Sequence, residues 1–167
     1  MPQASIRIDG LDEVMARLRA DRIAQQHLRR GFEEVGWFLR SEASKRAPVH
    51  KGTLRGSIAH EVDPSPVPLW VRVGHLRDGA APHAPYMEFG TGLVHDHPSW
   101  PRRVHRVSGG KLAPWAELRG VNPYAVANAI MRRGGLRPRR YLRGALEENS
   151  DRVIRIIAGA LRRAGET

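Results

Sequence analysis

A single carboxylate, Glu88, stands in the stretch of the chain with the most unusual residue spacing. Residues 84–92 read Ala-Pro-Tyr-Met-Glu-Phe-Gly-Thr-Gly, so the carboxylate lies between two apolar side chains. A charge in an apolar setting needs hydrogen-bond donors, and we expect backbone N–H groups or an arginine to supply them. The glycines on either side of Thr91 indicate a backbone at positive φ, or one held close to another segment. The stretch therefore predicts a structural turn that locks one element to its neighbour.

Catalysis by Glu88 is the competing hypothesis. The carboxylate could act as a general base with His83 or His95, if a pocket brought these groups within hydrogen-bond reach. However, no second acid, cysteine or nucleophile pattern lies within several residues of Glu88. We therefore expect a protein that is not an enzyme, in which loss of the Glu88 carboxylate lowers stability or blocks assembly because its donors are left unpaired.

Two other motifs contain residue types that bind ligands. The run His-Asp-His at 95–97 could ligate a metal, but the chain has no cysteine and no Glu-x-x-His helix. The run Lys-Gly-Thr at 51–53 is similar to the end of a phosphate-binding loop, although the earlier glycine and the strand of that motif are missing. We expect neither a metal nor a cofactor. Lys51 and Arg55 could still touch phosphates or acidic partners as point charges.

The composition bounds the class of protein and its partners. The 167 residues include 28 Lys and Arg against 17 Asp and Glu, which gives a formal net charge of +11. Such a charge favours contact with nucleic acid, an acidic protein surface or a membrane surface, with a solvated basic surface as the alternative. The absence of cysteine excludes disulfides and fits an intracellular origin. No long apolar run and no signal-peptide pattern occur, so we expect neither a membrane span nor secretion.

The first half of the chain predicts two helices after a short strand. We expect one domain over residues 1–167. Alternating residues at 5–10 predict the strand, and an apolar stripe at 11–18 predicts a helix. A longer helix is expected at 24–46, ended by Pro48. Its buried stripe would be Leu28, Phe32, Val35, Leu39 and Ala43. Trp37 lies off this stripe, where it either covers a neighbouring element or marks a subunit contact.

The middle of the chain predicts a hairpin, a long loop and two short helices. Strands at 57–63 and 69–74 are separated by a proline-rich loop. A long basic loop follows at 93–110. Helices are expected at 112–119 and 124–133, the second capped by Asn122 and then proline. The inward-facing side chains of this pair would be Trp115, Leu118, Val126, Ile130 and Met131.

The last helix is expected at 141–164, directly after a basic cluster at 137–143. Cations at a helix start oppose the helix dipole, so the cluster indicates either an anionic partner or simple solvation. The apolar stripe of this helix would be Leu142, Leu146, Val153, Ile157 and Leu161. The preceding pair at 112–133 has the outline of a helix-turn-helix, but its second helix offers few side chains able to read bases. A packing pair is the favoured interpretation.

Three segments in this order carry a resemblance to a known family. They are 47–58 with Gly-Thr-Leu-Arg-x-Ser-Ile, 85–91 with Pro-Tyr-Met-Glu-Phe-Gly-Thr, and 137–146 with Arg-Pro-Arg-Arg-Tyr-Leu-Arg-Gly-Ala-Leu. With the start at 8–12, they look like the neck or tail-completion (head–tail joining) proteins of long-tailed double-stranded DNA phages. The resemblance covers nearly the whole chain. The family usually has Pro-Phe-Leu or Pro-Phe-Phe before the last helix, where residues 138–142 here read Pro-Arg-Arg-Tyr-Leu.

The resemblance implies a fold and a role. The implied fold is α+β, with a small antiparallel sheet packed against a long helix in the N-terminal half and a long C-terminal helix. The implied role is that of a non-enzymatic virion protein at the head–tail junction, made in the bacterial host cytoplasm. It would form or join a ring around the DNA channel, with a hexamer expected and a dodecamer also compatible. Its partners would be other connector, tail terminator or tail-tube proteins and the DNA that passes through.

A closed ring requires head-to-tail interfaces, and exposed loops and tryptophans suit such contacts. We expect the basic loop and the following residues to contribute: Glu88, Phe89, Gly90, Thr91, Trp37, Trp70 and Trp100. Candidate contacts with anions or acidic partners are Lys51, Arg55, Arg102, Arg103, Arg106, Arg139 and Arg140. Acidic protein rings are favoured over DNA for these cations, because a passing genome needs a channel that does not grip phosphates. The alternative function is a basic nucleic-acid-binding protein that uses the helix pair at 112–133.

Overall fold

The computed structural model describes residues 21–49, 52–76, 81–103 and 107–166, together with Ala16. In these residues the fold is α+β, with seven helices and a two-stranded antiparallel sheet. The expected strand at 5–10 and nearly all of the expected helix at 11–18 lie outside the described residues. The helices are α1 (Arg22–Arg46), α2 (Thr53–Gly56), α3 (Ala84–Phe89), α4 (Gly109–Glu117), α5 (Pro123–Arg132), α6 (Tyr141–Glu147) and α7 (Ser150–Gly165), and the strands are β1 (Ala59–Val62) and β2 (Val71–Gly74).

Helix α1 forms where its apolar stripe predicts it. The Asp21 carboxylate caps its start by accepting the N–H groups of Ile23 and Ala24 at 2.7 and 3.3 Å. The helix ends at Arg46, and Ala47 turns to an extended conformation because Pro48 follows. Its buried residues are Ala24, Leu28, Gly31, Val35, Gly36, Leu39 and Ala43, while Phe32 is only half-buried.

Helix α1 packs against α7, α6 and both strands. Its contact with α7 is made by small residues, since a β-carbon at Gly31 would overlap the β-carbon of Ala160. Near the start of α1, a small apolar cluster joins it to the hairpin loop and to the end of α7. This cluster consists of Ala24, Leu28, Val67 and Ala164. The two long helices therefore approach closely enough that no larger side chain fits at their crossing.

The predicted hairpin is present, with Ala59 opposite Gly74 and Val62 opposite Val71. Its loop is closed by Asp63, whose carboxylate accepts the N–H groups of Ser65 and Leu69 at 3.0 Å each. These two hydrogen bonds lower the pKa of Asp63. The strand expected at 57–63 begins two residues later, because the chain first makes the helical turn α2, entered through Gly52 at φ 80°.

The expectation of one continuous helix at 141–164 is wrong. The chain forms α6 and α7, which are separated at Glu148 and Asn149. At the break, the Asn149 side-chain amide donates to the carbonyl of Ala145 at 2.9 Å. The expected stripe is also wrong in part, since Leu146 and Leu161 are exposed. The fully buried residues of the two helices are instead Tyr141, Gly144, Ala145, Ala160 and Ala164. All of these except Tyr141 are small, because a close helix crossing leaves no room for larger side chains.

Helices α4 and α5 pack on each other, as the favoured interpretation predicts. The Asn122 side chain caps α5, accepting the N–H groups of Tyr124 and Ala125 at 2.9 and 3.2 Å. Helix α4 starts at Gly109, earlier than predicted, and a β-carbon at this position would overlap the Tyr124 ring. The basic loop therefore ends at 108. Leu118, expected to face inward, lies exposed in the turn after α4, while Trp115, Val126, Ile130 and Met131 are half-buried.

None of the helices in the described ranges combines the length and the apolarity that a membrane span requires.

The close contact between α1 and α7 can be tested with a swap. We expect Gly31→Ala to lower the free energy of unfolding by about 1 kcal/mol, because overpacking outweighs the gain in helix propensity. Adding Ala160→Gly should restore most of this loss, since the space returns and the two propensity changes offset each other. Denaturant unfolding followed by circular dichroism measures both. A Gly31→Ala protein as stable as the parent would contradict the crossing.

Candidate functional site

Glu88 is buried, with 4% of its surface exposed. Its two carboxylate oxygens accept the backbone N–H groups of Leu142 and Arg143, each at 2.9 Å. These donors lie in the first turn of α6, whose own N-cap residue provides no side-chain hydrogen bond. The carboxylate thus satisfies orphan N–H groups and lies at the positive end of the helix. The prediction that Glu88 takes backbone donors is confirmed, and the element that it locks is α6.

Arg140, the residue before α6, adopts the left-handed conformation at φ 49° and ψ 36°. It is the one non-glycine residue with positive φ among those that the structure describes, and such a conformation costs about 1–3 kcal/mol. Two bonds hold it there. Its backbone N–H donates to the carbonyl of Glu88 at 3.1 Å, and its Nε donates to Asp96 at 2.7 Å. The basic residue at this position is therefore part of the lock between α3 and α6.

The Gly-Thr-Gly segment runs beside residues 134–136. The Thr91 N–H donates to the Leu136 carbonyl at 2.8 Å, and the Leu136 N–H donates back to Thr91 Oγ1 at 3.0 Å. Gly90 and Gly92 both have positive φ, and a β-carbon on either would overlap the opposite backbone. Both explanations that the sequence suggested for these glycines are confirmed: unusual φ and a close neighbouring segment.

Asp96 gives two arginines of the basic cluster an internal anionic partner. Its Oδ2 accepts Arg140 Nε at 2.7 Å and Arg143 Nη2 at 2.9 Å. Its neighbour His95 is buried and accepts the N–H of His97 on Nδ1 at 3.2 Å. Within the described ranges, no three potential ligands are arranged to hold a metal ion. The run at 95–97 therefore has a structural part in attaching the basic loop to α6.

Aromatic rings fix the next part of the basic loop. Trp100 stacks on His97 with ring centroids 4.3 Å apart and contacts Phe89 edge-on at 5.9 Å. Trp100 and Phe89, both expected at a subunit interface, are thus engaged within their own chain. Trp70 is half-buried beneath the Arg72 guanidinium. Trp37 remains 58% exposed, although its ring meets His60 edge-on.

Three side chains that the sequence analysis did not single out, Ser57, His75 and Tyr141, form a hydrogen-bonded chain. Ser57 Oγ lies 2.8 Å from His75 Nδ1, and His75 Nε2 lies 2.6 Å from the hydroxyl of Tyr141. Ser57 also donates to the Leu54 carbonyl at 2.9 Å, so its oxygen accepts the Nδ1 proton and Nε2 accepts the tyrosine proton. This pattern holds His75 in one neutral tautomer. The chain joins α2, the end of β2 and α6.

Burial shifts the two titratable members of this chain. It lowers the pKa of His75, and the nearby charge of His83 lowers it further. Burial likewise raises the pKa of Tyr141, with a smaller contribution from Glu88. Tyr141 is 0% exposed, and each reactive atom of the chain already has a partner inside the protein. The Ser-His-Tyr chain is therefore hydrogen-bonded within the fold at each of its polar atoms. The residue types alone gave no signal, because the three are 84 positions apart end to end in a sequence of 167.

The hydrolase hypothesis places His83 or His95 beside Glu88. Both oxygens of Glu88 are occupied by backbone N–H groups of α6, and in the described residues neither histidine hydrogen-bonds to it. His83 is exposed. His95 uses Nδ1 in the turn at 95–97, while its buried Nε2 has no hydrogen-bond partner among the described residues. The structure therefore assembles no acid–base pair around Glu88 in this part of the chain.

The predicted anion contacts fall into three groups. Arg55, Arg102, Arg103 and Arg139 are exposed. Arg140 is engaged with Asp96. Lys51 and Arg106 lie outside the described residues. Arg132 and Arg133, two exposed arginines at the end of α5, were not among the predicted anion contacts. The sequence did contain a signal for them, because no aspartate or glutamate occurs between residues 118 and 146.

Comparison with known proteins gives no independent assignment, because no family model, curated protein or solved structure matches the chain.

The lock between Glu88 and α6 predicts a loss of stability on substitution. We expect Glu88→Ala to lower the free energy of unfolding by roughly 2–3 kcal/mol, since two N–H groups lose a charged acceptor. Glu88→Gln should lose less, because its amide oxygen can still accept one of them. Glu117→Ala, which removes an exposed carboxylate, is the matched control and should change stability by less than about 0.5 kcal/mol. Equal effects of Glu88→Ala and Glu117→Ala would contradict the lock.

His75 predicts a pH dependence of stability. The folded protein holds its pKa below the ordinary value of 6.5, so the unfolded chain binds more protons in acid. Stability should therefore fall as the pH is lowered through about 6.5 toward the folded pKa, with no further loss from this residue below it. Thermal unfolding at pH 7.5 and 5 measures the drop. His75→Gln should reduce the drop and His27→Gln should leave it unchanged; the same drop in all three proteins would refute this origin.

Proposed function

We propose that this protein is a structural virion component of the phage head–tail connector, of the neck or tail-completion type, which forms or joins a ring around the DNA channel. One observation carries the proposal: two of the segments on which the resemblance rests, 47–58 and 137–146, share one buried cluster, and Met87 of the third segment packs against it. The cluster consists of Ala43, Ala47, Leu54, Ile58, Ala81, Ala84, Tyr141 and Ala145, with Val73, Met87 and Leu142 packed against it. The motifs on which the resemblance rests therefore contribute to the packing of the core, as we expect of a protein with a structural role in an assembly.

The chemistry of the buried polar groups supports a structural role. Glu88 uses both oxygens to hold α6, and His75 uses both ring nitrogens to join Ser57 to Tyr141. Buried polar groups satisfied in this way specify one arrangement of the backbone, and they leave no free acid, base or nucleophile among themselves. Such a core suits a protein whose work is done by its outer surfaces.

Those outer surfaces expose large apolar side chains on several elements. Trp37 on α1 is 58% exposed, Ile154 on α7 is 54% exposed, and Leu118 after α4 is 68% exposed. A ring that closes by rotation needs two different patches on each subunit, one for each neighbour. Exposed apolar groups on separate elements supply candidates for both. Trp37 is the best of the expected tryptophans for such a contact, because Trp100 and Trp70 already pack within their own subunit.

We expect the purified protein to form rings, with six subunits of 18.7 kDa favoured, alone or only when a neighbouring connector or tail protein is added. Mass measurement in solution followed by negative-stain imaging tests this. Trp37→Ala should lower the yield of rings while thermal unfolding stays near that of the parent. A compact monomer that never enters a ring, with or without such neighbours, would refute the proposal.

A second candidate is a basic protein that binds nucleic acid as a monomer. The exposed polar residues on the outer face of α5, Asn128 and Arg132, favour it. The same mass measurement with short duplex DNA separates the two: a monomer that shifts on DNA and forms no ring supports this candidate alone.

A further inference from the structure

The segment 118–146 contains seven arginines and no aspartate or glutamate. Three of these arginines interact with other side chains of the same protein. Arg140 and Arg143 pair with Asp96, and Arg119 lies over the Trp115 ring. The remaining four are exposed and, within the described ranges, make no ion pair and lie over no aromatic ring. We call these four the arginine face: Arg132, Arg133, Arg137 and Arg139.

The backbone beneath the arginine face is held firmly. Gly134 and Leu136 accept N–H groups of Leu93 and Thr91 at 2.6 and 2.8 Å. The Arg139 N–H donates to the carbonyl of Met87 at 2.9 Å. The loop that carries Arg137 and Arg139 is therefore fixed to the segment 87–93 by backbone bonds, while its cationic side chains stay in solvent. A charged surface on a fixed backbone loses little backbone entropy when it binds.

A groove adjoins the arginine face on the outer side of α5. It has a volume of about 460 Å³ and is lined by Ala125, Asn128, Ala129, Arg132 and Arg133. Its floor is formed by small alanines, and its polar residues are spaced four apart, so that Tyr124, Asn128 and Arg132 share one exposed stripe. A chain of phosphates could lie close to the helix here, with hydroxyl, amide and guanidinium donors along it.

The composition of this surface favours nucleic acid over an acidic protein. Interfaces between proteins are depleted of charge at their centre and rely on apolar or aromatic anchors. Interfaces with DNA are polar and strongly positive. The arginine face has four cations and no acid, and the large apolar residue within it, Leu136, is only 37% exposed. Tyr124, which is 65% exposed, lies beside the face on the stripe of α5, where its hydroxyl can donate to a phosphate. The exposed arginines of α7 do not form a purely cationic surface of this kind, because the same helix also carries Asp151.

We propose that the arginine face and the α5 groove bind the phosphate backbone of duplex DNA without reading its bases. The cations lie at the end of α5 and in the following loop. From these positions they can reach phosphates, but they do not present a helix that enters a DNA groove and contacts base edges. If the protein is a connector subunit, as proposed above, this surface faces the DNA channel; its location in the assembly rests on that proposed function. Each subunit offers up to four phosphate contacts, and contacts of this kind weaken steeply as the salt concentration rises. This proposal differs from the expectation in the sequence analysis, which favoured acidic protein rings over DNA as the partner of the excess positive charge.

The test compares two variants of equal charge in the full-length protein. One carries Gln at the four positions of the arginine face. The control carries Gln at Arg30, Arg155, Arg162 and Arg163, which are also exposed. Fluorescence anisotropy with a labelled 25-base-pair duplex gives the affinity between about 50 and 200 mM salt. Each phosphate contact that is removed should reduce the salt slope by about one unit. The arginine-face variant should therefore have a slope smaller than that of the parent by about 3–4, and it should bind tens of times more weakly at low salt.

Three outcomes would overturn this assignment: no DNA binding by the parent at low salt, an equal loss in the control, or binding of the arginine face to an acidic connector protein while DNA is ignored. A second duplex of unrelated sequence should bind equally, and a strong preference would refute a backbone-only contact. Ring formation is measured separately. Rings whose DNA affinity is unchanged by the four substitutions would leave the connector proposal standing and refute this one.

Discussion

The structure depends on one carboxylate placed at the start of a helix that cannot cap itself. Helix α6 has seven residues, and its N-cap is an arginine in a left-handed conformation. Left alone, such a helix has orphan N–H groups and a cation at the wrong end of its dipole. Glu88 corrects both by reaching from α3, and in doing so fixes where Tyr141 and the segment 134–140 lie. The close Gly-Thr-Gly contact and the Asp96 pairs then follow from this placement.

Sequence reasoning succeeded where the signal is local. Glu88 sits among apolar neighbours, so its need for donors could be read directly, as could the positive φ of Gly90 and Gly92. The cap at Asn122 needs only a side chain two residues from its N–H partner. Helix α1 and the hairpin follow from periodicity and from prolines. Each of these is decided by a few consecutive residues, so the fold class and much of the candidate site were predictable.

The remainder depends on residues far apart in the chain. Ser57, His75 and Tyr141 meet only because three elements converge, and nothing near any one of them indicates the other two. The break at Asn149 and the burial of Ala160 have the same origin. An apolar stripe predicts which side of a helix is buried, but a crossing as close as that at Gly31 admits only small residues. Leu161, the larger side chain, is therefore displaced to the surface.

The basic cluster before α6 illustrates how one run of like charges divides between fold and function. Arg140 and Arg143 pair with Asp96, and this acid offsets the unfavourable position of cations at the start of a helix. Arg137 and Arg139 have the same chemistry, but their backbone is tied down by Thr91 and Met87, which leaves the side chains outside. The interactions that anchor the loop thus also determine which cations remain available. A surface prepared in this way keeps its charge without the fold relying on it, so it can be altered for a partner at little cost in stability.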